Sequence, residues 1–271
     1  MNPLSIEARI EEEALPELQL ASPCSLEELA SVKLFNRVDT KYVIPFHFIH
    51  TLLREVAVDY QFLELRGKRL HSYKTLYFDT SDLRFFNLHQ CGRRPRQKVR
   101  IRRYGTNELS FLEHKLKRKH LTKKTRIKRD NFSPFFSIEE LRFLREKGVD
   151  CLVEPVLWVR FQRITLRALD GSERCTIDCG LSVEPFHGFR KEEELLPSPD
   201  FSPLAIVELK QRSQSRNSSL SRALRRYGYR PSSWSKYAMG SVLSFKGLRY
   251  NRLKPQITLL NRLHSNVQEV A

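Results

Sequence analysis

Alternation of apolar and polar residues at every second position is typical of half-buried β-strands, and it recurs eight times along the chain. The predicted strands cover residues 38–44, 73–78, 97–104, 109–116, 122–128, 156–166, 174–183 and 205–210. Turn residues separate several of them, including Gly105-Thr106-Asn107 and the hairpin signal Asp170-Gly171. Eight strands with few helices predict a mainly β (α+β) fold built on a closed antiparallel sheet.

Helical periodicity is confined to shorter stretches, at 46–58, 137–147, 218–227 and 233–243. The second stretch carries a complete set of boundary signals, because Ser137 and Glu140 form a capping box and Gly148 follows as a stop. The segment 79–82, Asp-Thr-Ser-Asp, can cap a further short helix. These helices are predicted to flank the sheet.

No repeat or low-complexity linker divides the chain, so the sequence predicts one domain over residues 31–244. Residues 1–30 hold seven acidic residues and one basic residue, which predicts an acidic, mobile arm. Residues 245–271 form a basic tail with weak patterning. The chain as a whole carries a net charge of +17, which implies a polyanionic partner such as nucleic acid, acidic membrane or polyphosphate.

Several classes of protein are excluded or disfavoured. No apolar run approaches the length of a membrane span, and the acidic N-terminus is unlike a signal peptide, so we expect a cytoplasmic protein. No GxxxxGK[ST] loop, GxGxxG turn or GxSxG elbow occurs. The five cysteines contain no CxxC pair, which favours reduced thiols over a zinc site. The basic stretch 117–129 is the best nucleic-acid candidate, but it lacks interleaved aromatic residues, so nucleic acid is the weaker hypothesis.

The polar positions of the predicted strands are specialised. A solvated face tolerates Ser, Thr, Gln and mixed charge, whereas these positions are mostly Lys or Arg with single carboxylates. They are Arg37, Asp39 and Lys41; Lys98, Arg100 and Arg102; Glu113 and Lys115; Arg163; Arg174 and Asp178; and Glu208 and Lys210. For any one strand, a solvated outer face remains the simpler interpretation.

When all the strands are considered together, their charged positions are better explained as the lining of a barrel. Such a lining would be prohibitively costly without a ligand that compensates the charge. A triphosphate with a divalent cation supplies that compensation, because guanidinium groups bind phosphate oxygens bidentately and carboxylates hold the metal. The pattern therefore predicts a cationic tunnel that binds a polyphosphate, such as the triphosphate of a nucleotide.

Nine segments in order resemble the VTC domain, the polyphosphate polymerase domain of the triphosphate tunnel metalloenzyme superfamily. They are RVDTKYVIP at 37–45, YKTLYFDTSD at 73–82, KVRIRRYG at 98–105, FLEHK at 111–115, KKTR at 123–126, FQRITL at 161–166, RCTID at 174–178, IVELK at 206–210 and WSKYAMG at 234–240. The resemblance covers roughly residues 35–242. It implies an eight-stranded antiparallel β-barrel tunnel with ATP and polyphosphate as ligands.

The resemblance also implies roles for individual residues. The basic residues that match the family's catalytic phosphate-binding positions are Lys41, Arg100, Arg102, Lys115, Arg163, Arg174 and Lys236. Lys98, Lys124 and Ser235 are expected to bind the triphosphate, although the run of bases at 123–128 leaves the register of Lys124 open. Glu208 matches the metal-binding glutamate, with Asp39 and Glu113 as further acidic candidates and Mn²⁺ or Mg²⁺ as the expected ion.

The sequence departs from the family at Phe161, which stands where the family has a tyrosine with a phosphate-contacting hydroxyl. The chain also lacks the phosphate-sensing and transmembrane regions of the eukaryotic complex, so membrane coupling would need a partner protein. Three hypotheses stay open: phosphoryl transfer from ATP to polyphosphate, hydrolysis of tripolyphosphate or a nucleoside triphosphate, and a non-catalytic polyphosphate or nucleic-acid binding module.

Overall fold

A computed structural model describes residues 16–31, 38–118, 121–212 and 217–268. The strands are β1 (Pro23–Cys24), β2 (Val38–Pro45), β3 (Tyr60–Leu63), β4 (His71–Asp79), β5 (Arg96–Tyr104), β6 (Ser110–Arg118), β7 (Leu121–Arg129), β8 (Glu154–Ala168), β9 (Glu173–Pro185) and β10 (Leu204–Gln211). The helices are α1 (Leu26–Ser31), α2 (Phe48–Val56), α3 (Arg84–Gln90), α4 (Ile138–Glu146), α5 (Ser219–Arg226), α6 (Lys236–Ser244) and α7 (Lys254–Gln268).

Eight of the strands form one antiparallel sheet in the order β2-β10-β9-β8-β4-β5-β6-β7, which curls into a half-barrel. These are the eight predicted strands, so the predicted mainly β architecture with flanking helices is confirmed. Two short strands were not predicted: β3 pairs with the end of β8, and β1 runs parallel to β3. Both lie beside the end of β8, beyond the point where its pairing with β4 begins.

Side-chain contacts across the concave side show that the sheet is curled. Lys41 Nζ on β2 donates to the carbonyl of Trp234, and Lys98 Nζ on β5 donates to Oγ of the next residue, Ser235. In a flat sheet β2 and β5 would lie about 24 Å apart, since five strand spacings of about 4.8 Å separate them. The two halves of the sheet must therefore face each other.

Two hydrophobic clusters cover the convex side. In the first, α2 and α5 pack on β2, β10, β9 and the second half of β8. In the second, α4 packs on β4, β5 and β6, with Ser137 and Glu140 forming the predicted capping box at its start. The apolar phase of each strand is buried here, which leaves the charged phase on the concave side.

The concave side is divided into an apolar part and a charged part. A third cluster places α3, α6 and α7 against the apolar part, where Val43, Phe161 and Ile206 point inward. Close approach of α6 depends on Gly240, because a Cβ there would lie 2.6 Å from Leu157 Cδ2 and 2.9 Å from Val183 Cγ1. The start of α6 thus sits at the border of the charged part.

Both chain ends differ from the prediction. From residue 16 the predicted mobile arm packs on the body: Leu18 and Ala21 are buried, and Glu17 binds His50 and Arg54. Residues 1–15 lie outside the described part of the chain. The weakly patterned tail contains α7, whose apolar residues pack with α6 in the third cluster. None of the described helices has the length and apolar character needed to cross a bilayer.

Candidate functional site

Strand register places the predicted charged residues on one face. Directly paired residues of antiparallel strands project to the same side of the sheet. Lys41 pairs with Glu208, Arg163 with Asp178, and Arg100 with Glu113, and the pairs that connect these strands keep the same phase. The residues gathered on this concave face are Asp39, Lys41, Lys98, Arg100, Arg102, Glu113, Lys115, Lys124, Arg163, Arg174, Asp178, Glu208 and Lys210.

Asp178 is the centre of a buried ion cluster. Its carboxylate accepts hydrogen bonds from Arg163 Nε at 2.5 Å and Nη2 at 2.8 Å, and a third from Lys236 Nζ at the start of α6. Burial alone would raise the pKa of Asp178, but Arg163 and Lys236 hold it well below its usual range. The carboxylate therefore stays ionised and fixes the direction of both cations.

Glu113 organises a second ion cluster on β5, β6 and β7. Its oxygens bind Arg100 at 2.7 Å and Lys124 at 2.5 Å, with only 1% of the glutamate side chain exposed. Lys124 pairs with Lys115 in the β6–β7 register, so it points into the concave side. The register that the run of bases at 123–128 left open is thereby settled. Burial lowers the pKa of Lys124 to about 8, with Glu113 acting in the opposite direction.

A third group surrounds Glu208. Its carboxylate lies 3.3 Å from Lys210 Nζ, and Lys41 stands opposite it in the β2–β10 pair. Burial would raise the pKa of Glu208, but Lys210, Lys41 and Arg163 hold it well below the usual range. Glu208 is therefore an ionised carboxylate set among cations.

The two residues that precede α6, Trp234 and Ser235, bridge the two sides of the half-barrel. Lys98 Nζ donates to Ser235 Oγ at 2.8 Å, and Lys41 Nζ donates to the carbonyl of Trp234 at 3.1 Å. Ser235 also caps α6 by accepting from the amide of Ala238. Two cations from opposite sides of the half-barrel are thereby held beside Lys236.

Aromatic rings line the border between the charged and apolar parts. Phe161 stacks on Tyr73 with ring centroids 5.0 Å apart, and the guanidinium of Arg163 lies 4.9 Å from the Tyr73 ring. Lys236 Nζ lies 4.4 Å from the Phe161 ring, so Phe161 supports a cation with its π face. Tyr77 is buried and accepts a hydrogen bond from Arg100 at 3.2 Å.

The model of the VTC domain matches residues 36–245, which is most of the chain. The chain belongs to the VTC domain family. It accordingly has a tunnel fold with a function related to triphosphates.

Solved structures with a similar fold are distant. The adenylyl cyclase-like protein HpAC1 from Hippeastrum, described as having a dominant triphosphatase activity, is 16% identical, with a TM-score of 0.48 over 79% of this chain and 100% of that chain. An adenylate cyclase-like protein from Bacillus halodurans is 9% identical, with a TM-score of 0.46 over 74% and 96%. PH1819 from Pyrococcus horikoshii is 13% identical, with a TM-score of 0.43 over 75% and 97%. Curated protein sequences give no significant match.

The carboxylates of this VTC domain fit a metal that is shared with a substrate. Tunnel enzymes of this kind generally use divalent cations, but no three His, Cys, Asp or Glu side chains come close enough to hold one within the described residues. Glu113 is already bound by Arg100 and Lys124, so it does not join Glu208 as predicted. Mg²⁺ and related ions are often held by one carboxylate plus substrate phosphates, and Glu208 suits that arrangement.

The sequence alone assigned no role to Asp178, although Asp178 and Arg174 lie on the same face of one predicted strand. The turn predicted at Asp170-Gly171 carried the signal for one of its contacts, because a hairpin centred on that turn sets Arg163 opposite Asp178. Arg174, predicted as catalytic, lies on the same face opposite Lys210, beyond the ion cluster of Asp178. Arg102 is buried and donates to Thr75 Oγ1 at 3.2 Å.

Binding of tripolyphosphate is expected to weaken as the pH rises through the pKa of Lys124. Below about pH 8 the ammonium is charged, and above it the charge that attracts phosphate is lost. If the bound state requires that charge, affinity at pH 9 should be about tenfold lower than at pH 7. Titration calorimetry across this range would measure the change.

Lys124→Arg is the matched control, because a guanidinium stays charged throughout this pH range. The variant should lose the part of the pH dependence that comes from position 124, while the titration of the ligand and of other lysines is unchanged. Identical pH profiles for the two proteins would contradict the assignment.

Proposed function

We propose that this VTC domain transfers the γ-phosphoryl group of ATP to the end of a polyphosphate chain and releases ADP. The observation that carries the proposal is the charge balance of the concave face, where each buried carboxylate is already engaged by cations and further cations remain. Those without an ion pair among the described residues include Lys41, Lys98, Arg102 and Lys115. Such a face suits several linked phosphates better than a single one.

The chemistry of this transfer needs positioning and charge neutralisation more than acid–base catalysis. An anionic oxygen of the terminal phosphate would attack the γ-phosphorus of ATP. The bond from that phosphorus to the bridging β–γ oxygen would break, and ADP would leave with the electron pair. Atoms and charge balance without a proton transfer, so no general base is required.

Residues of the ion clusters would hold the reacting phosphates. Arg163 and Lys236 are oriented by Asp178, and Arg100 is oriented by Glu113, so their donors are preorganised toward the concave side. Glu208 would be the protein ligand of a divalent cation, which when bound supplies further charge neutralisation to the phosphates. Hydrolysis would need a carboxylate such as Glu113 or Asp39 to orient a water, and the engagement of Glu113 in ion pairs supports transfer over hydrolysis.

The direct test is incubation of the purified protein with ATP and Mn²⁺, followed by gel electrophoresis and quantification of ADP. Long chains with one ADP per added phosphate are expected. Orthophosphate or pyrophosphate without chains would replace the proposal by a triphosphatase. Tight binding of tripolyphosphate without any turnover would replace it by a binding module.

Lys115→Met is a suitable inactive variant because Lys115 makes no ion pair in the described part of the chain, so no carboxylate is left unpaired. Chain synthesis should fall by about 100-fold, the scale of losing one preorganised electrostatic contact. Arg142→Ala, an exposed charge on α4 of the convex side, should retain activity.

Tripolyphosphate is expected to stabilise the folded protein strongly. A ligand bound only by the folded state adds roughly 2.7 kcal/mol at a hundredfold excess over Kd, which corresponds to about 5 °C in Tm for a chain of this size. Orthophosphate should protect less at the same phosphate concentration, because only a chain contacts several strands. Duplex DNA should also protect less, and equal or greater protection by DNA in a thermal-shift series would favour a nucleic-acid function.

A further inference from the structure

A second group of cations lies where β5 begins and β6 ends. Arg96 pairs directly with Lys117, and the next pair on the same face is Lys98 with Lys115. Lys115 in turn pairs with Lys124 on β7. Like charges placed directly opposite each other destabilise a sheet, so this end of the sheet carries an electrostatic cost.

The three ion clusters at the centre of the site follow the opposite rule, although Lys210 with Arg174 is a like-charged pair on β10 and β9. There the cross-strand pairs join opposite charges, as in Arg100 with Glu113, Arg163 with Asp178 and Lys41 with Glu208. Along β5, the last cation that faces a carboxylate on β6 is therefore Arg100, and Lys98 faces another cation instead. Beyond that point the sheet presents cations alone along β5 and β6, with Asp39 as a carboxylate that acts on Lys117 from β2.

Arg94 and Arg252 extend the cations beyond the sheet. Arg252 follows the matched family region, in the segment that leads into α7. Its guanidinium lies against Gly92, in the space that a side chain at that position would occupy. The segment around Arg252, which lies outside residues 36–245, therefore packs against the turn that precedes β5.

We call Arg94, Arg96, Lys117 and Arg252 the mouth cluster. None of them makes an ion pair with a carboxylate in the parts of the chain that the structure describes. Burial lowers the pKa of Arg96, and the charges of Arg94 and Arg252 lower it further. Burial and the neighbouring cations Lys98 and Arg96 also lower the pKa of His89 to about 3, so that imidazole is neutral.

We propose that the mouth cluster binds the phosphates of a polyphosphate chain that extends out of the tunnel, and that the chain therefore leaves the concave face at the Arg96–Lys117 end. This inference rests on the proposed function and adds the direction of the chain. The like-charged pairs Lys98–Lys115 and Arg96–Lys117 form a continuous path from the ion cluster of Glu113 to Arg252. A chain with a negative charge on every phosphate would neutralise the cations of both pairs.

A linear phosphate chain fits this path better than nucleic acid does. The mouth cluster continues without interruption into the Lys98–Lys115 pair inside the half-barrel. A phosphate chain without bases or sugars can follow it inward, whereas a nucleic acid would also have to place its bases in a half-barrel that Trp234 and Ser235 already bridge. The expected ligand is therefore linear polyphosphate.

The test compares two ligands on two double variants of the full chain. Arg94→Ala/Arg252→Ala removes two exposed members of the mouth cluster, and Arg142→Ala/Arg145→Ala removes the same charge from α4 on the convex side. Dissociation constants are measured for tripolyphosphate and for long-chain polyphosphate. The mouth variant should bind the long chain about tenfold more weakly, the combined effect of two exposed charge contacts, and should bind tripolyphosphate as the wild type does. The control variant should bind both ligands normally.

Three results would overturn the proposal. The first is an equal loss for both variants, which would reflect overall charge. The second is an unchanged affinity of the mouth variant for the long chain. The third is tighter binding of a single-stranded RNA with a matched number of phosphates, lost in the mouth variant. Failure of the wild type to bind tripolyphosphate would instead contradict the proposed function, so the two failures are distinguishable.

Discussion

Replacement of Asp178 by asparagine is expected to lower the free energy of unfolding by about 3–5 kcal/mol, the usual cost of removing one partner from a buried ion cluster. The substitution keeps the volume of the side chain but leaves Arg163 and Lys236 without their shared counterion. For a chain of this size the loss corresponds to a fall in Tm of about 10 °C. Thermal unfolding of the ligand-free protein measures it directly.

The difference in stability between the wild type and Asp178→Asn depends on pH with a definite sign. The pKa of Asp178 is held below its usual value of 3.8 in the folded state, so its stabilisation is complete above that value. The stabilisation is lost as the pH falls toward the folded pKa. The difference in Tm between wild type and Asp178→Asn should therefore shrink below about pH 4.

Ligand rescue separates the loss of a counterion from a general packing defect. Tripolyphosphate should raise the Tm of Asp178→Asn more than that of the wild type, because its oxygens would replace the missing carboxylate. Asp150→Asn, at an exposed position after α4, serves as the control and should leave Tm unchanged. A Tm for Asp178→Asn close to that of the wild type would show that Asp178 does not act as the counterion.

Glu208→Gln is expected to reduce metal-dependent turnover by at least about 100-fold, because it removes a ligand charge without changing volume. Removal of the carboxylate also leaves Lys210, Lys41 and Lys115 facing one another. The folded variant should therefore have a lower Tm without ligand. Tripolyphosphate should recover most of that loss.

Metal binding gives a second measurement that does not depend on turnover. Free Mn²⁺ in the presence of tripolyphosphate can be measured by electron paramagnetic resonance, and Glu208→Gln should retain less of the ion than the wild type. Glu193→Gln, at an exposed position, is the matched control and should behave like the wild type. Full activity of Glu208→Gln at low Mn²⁺ would count decisively against the role of Glu208.

Much of the site could be predicted from the sequence because the phase of a strand is local information. Side chains alternate with a period of two, so Lys98, Arg100 and Arg102 had to share a face whatever the sheet became. Helix boundaries are local in the same way, and Ser137 with Glu140 forms the expected capping box at α4. Asp79 likewise accepts from the amides of Phe85 and Phe86 at the short helix that the sequence indicated.

The chain ends were not predictable because their packing partners are distant in sequence. Leu253, Leu260 and Leu263 are few among many polar residues, and they are buried only because α7 meets the third cluster. Glu17 looked like part of a solvated acidic arm, yet His50 and Arg54 of α2 bind its carboxylate. The mouth cluster has the same origin, since Arg252 reaches Gly92 across the fold.

The sequence by itself determined which side chains of each strand share a face, because that depends only on the alternating geometry of extended backbone. Apart from Arg163 and Asp178, which the turn at Asp170-Gly171 sets opposite each other, only the tertiary structure decided which charges meet. Glu113 binds Arg100 and Lys124, and Lys98 lies opposite Lys115, because of strand registers that no turn signal specified. Lys236 reaches Asp178 because of the position of α6. Register depends on the order and curl of the whole sheet, which bring together residues that no local pattern connects.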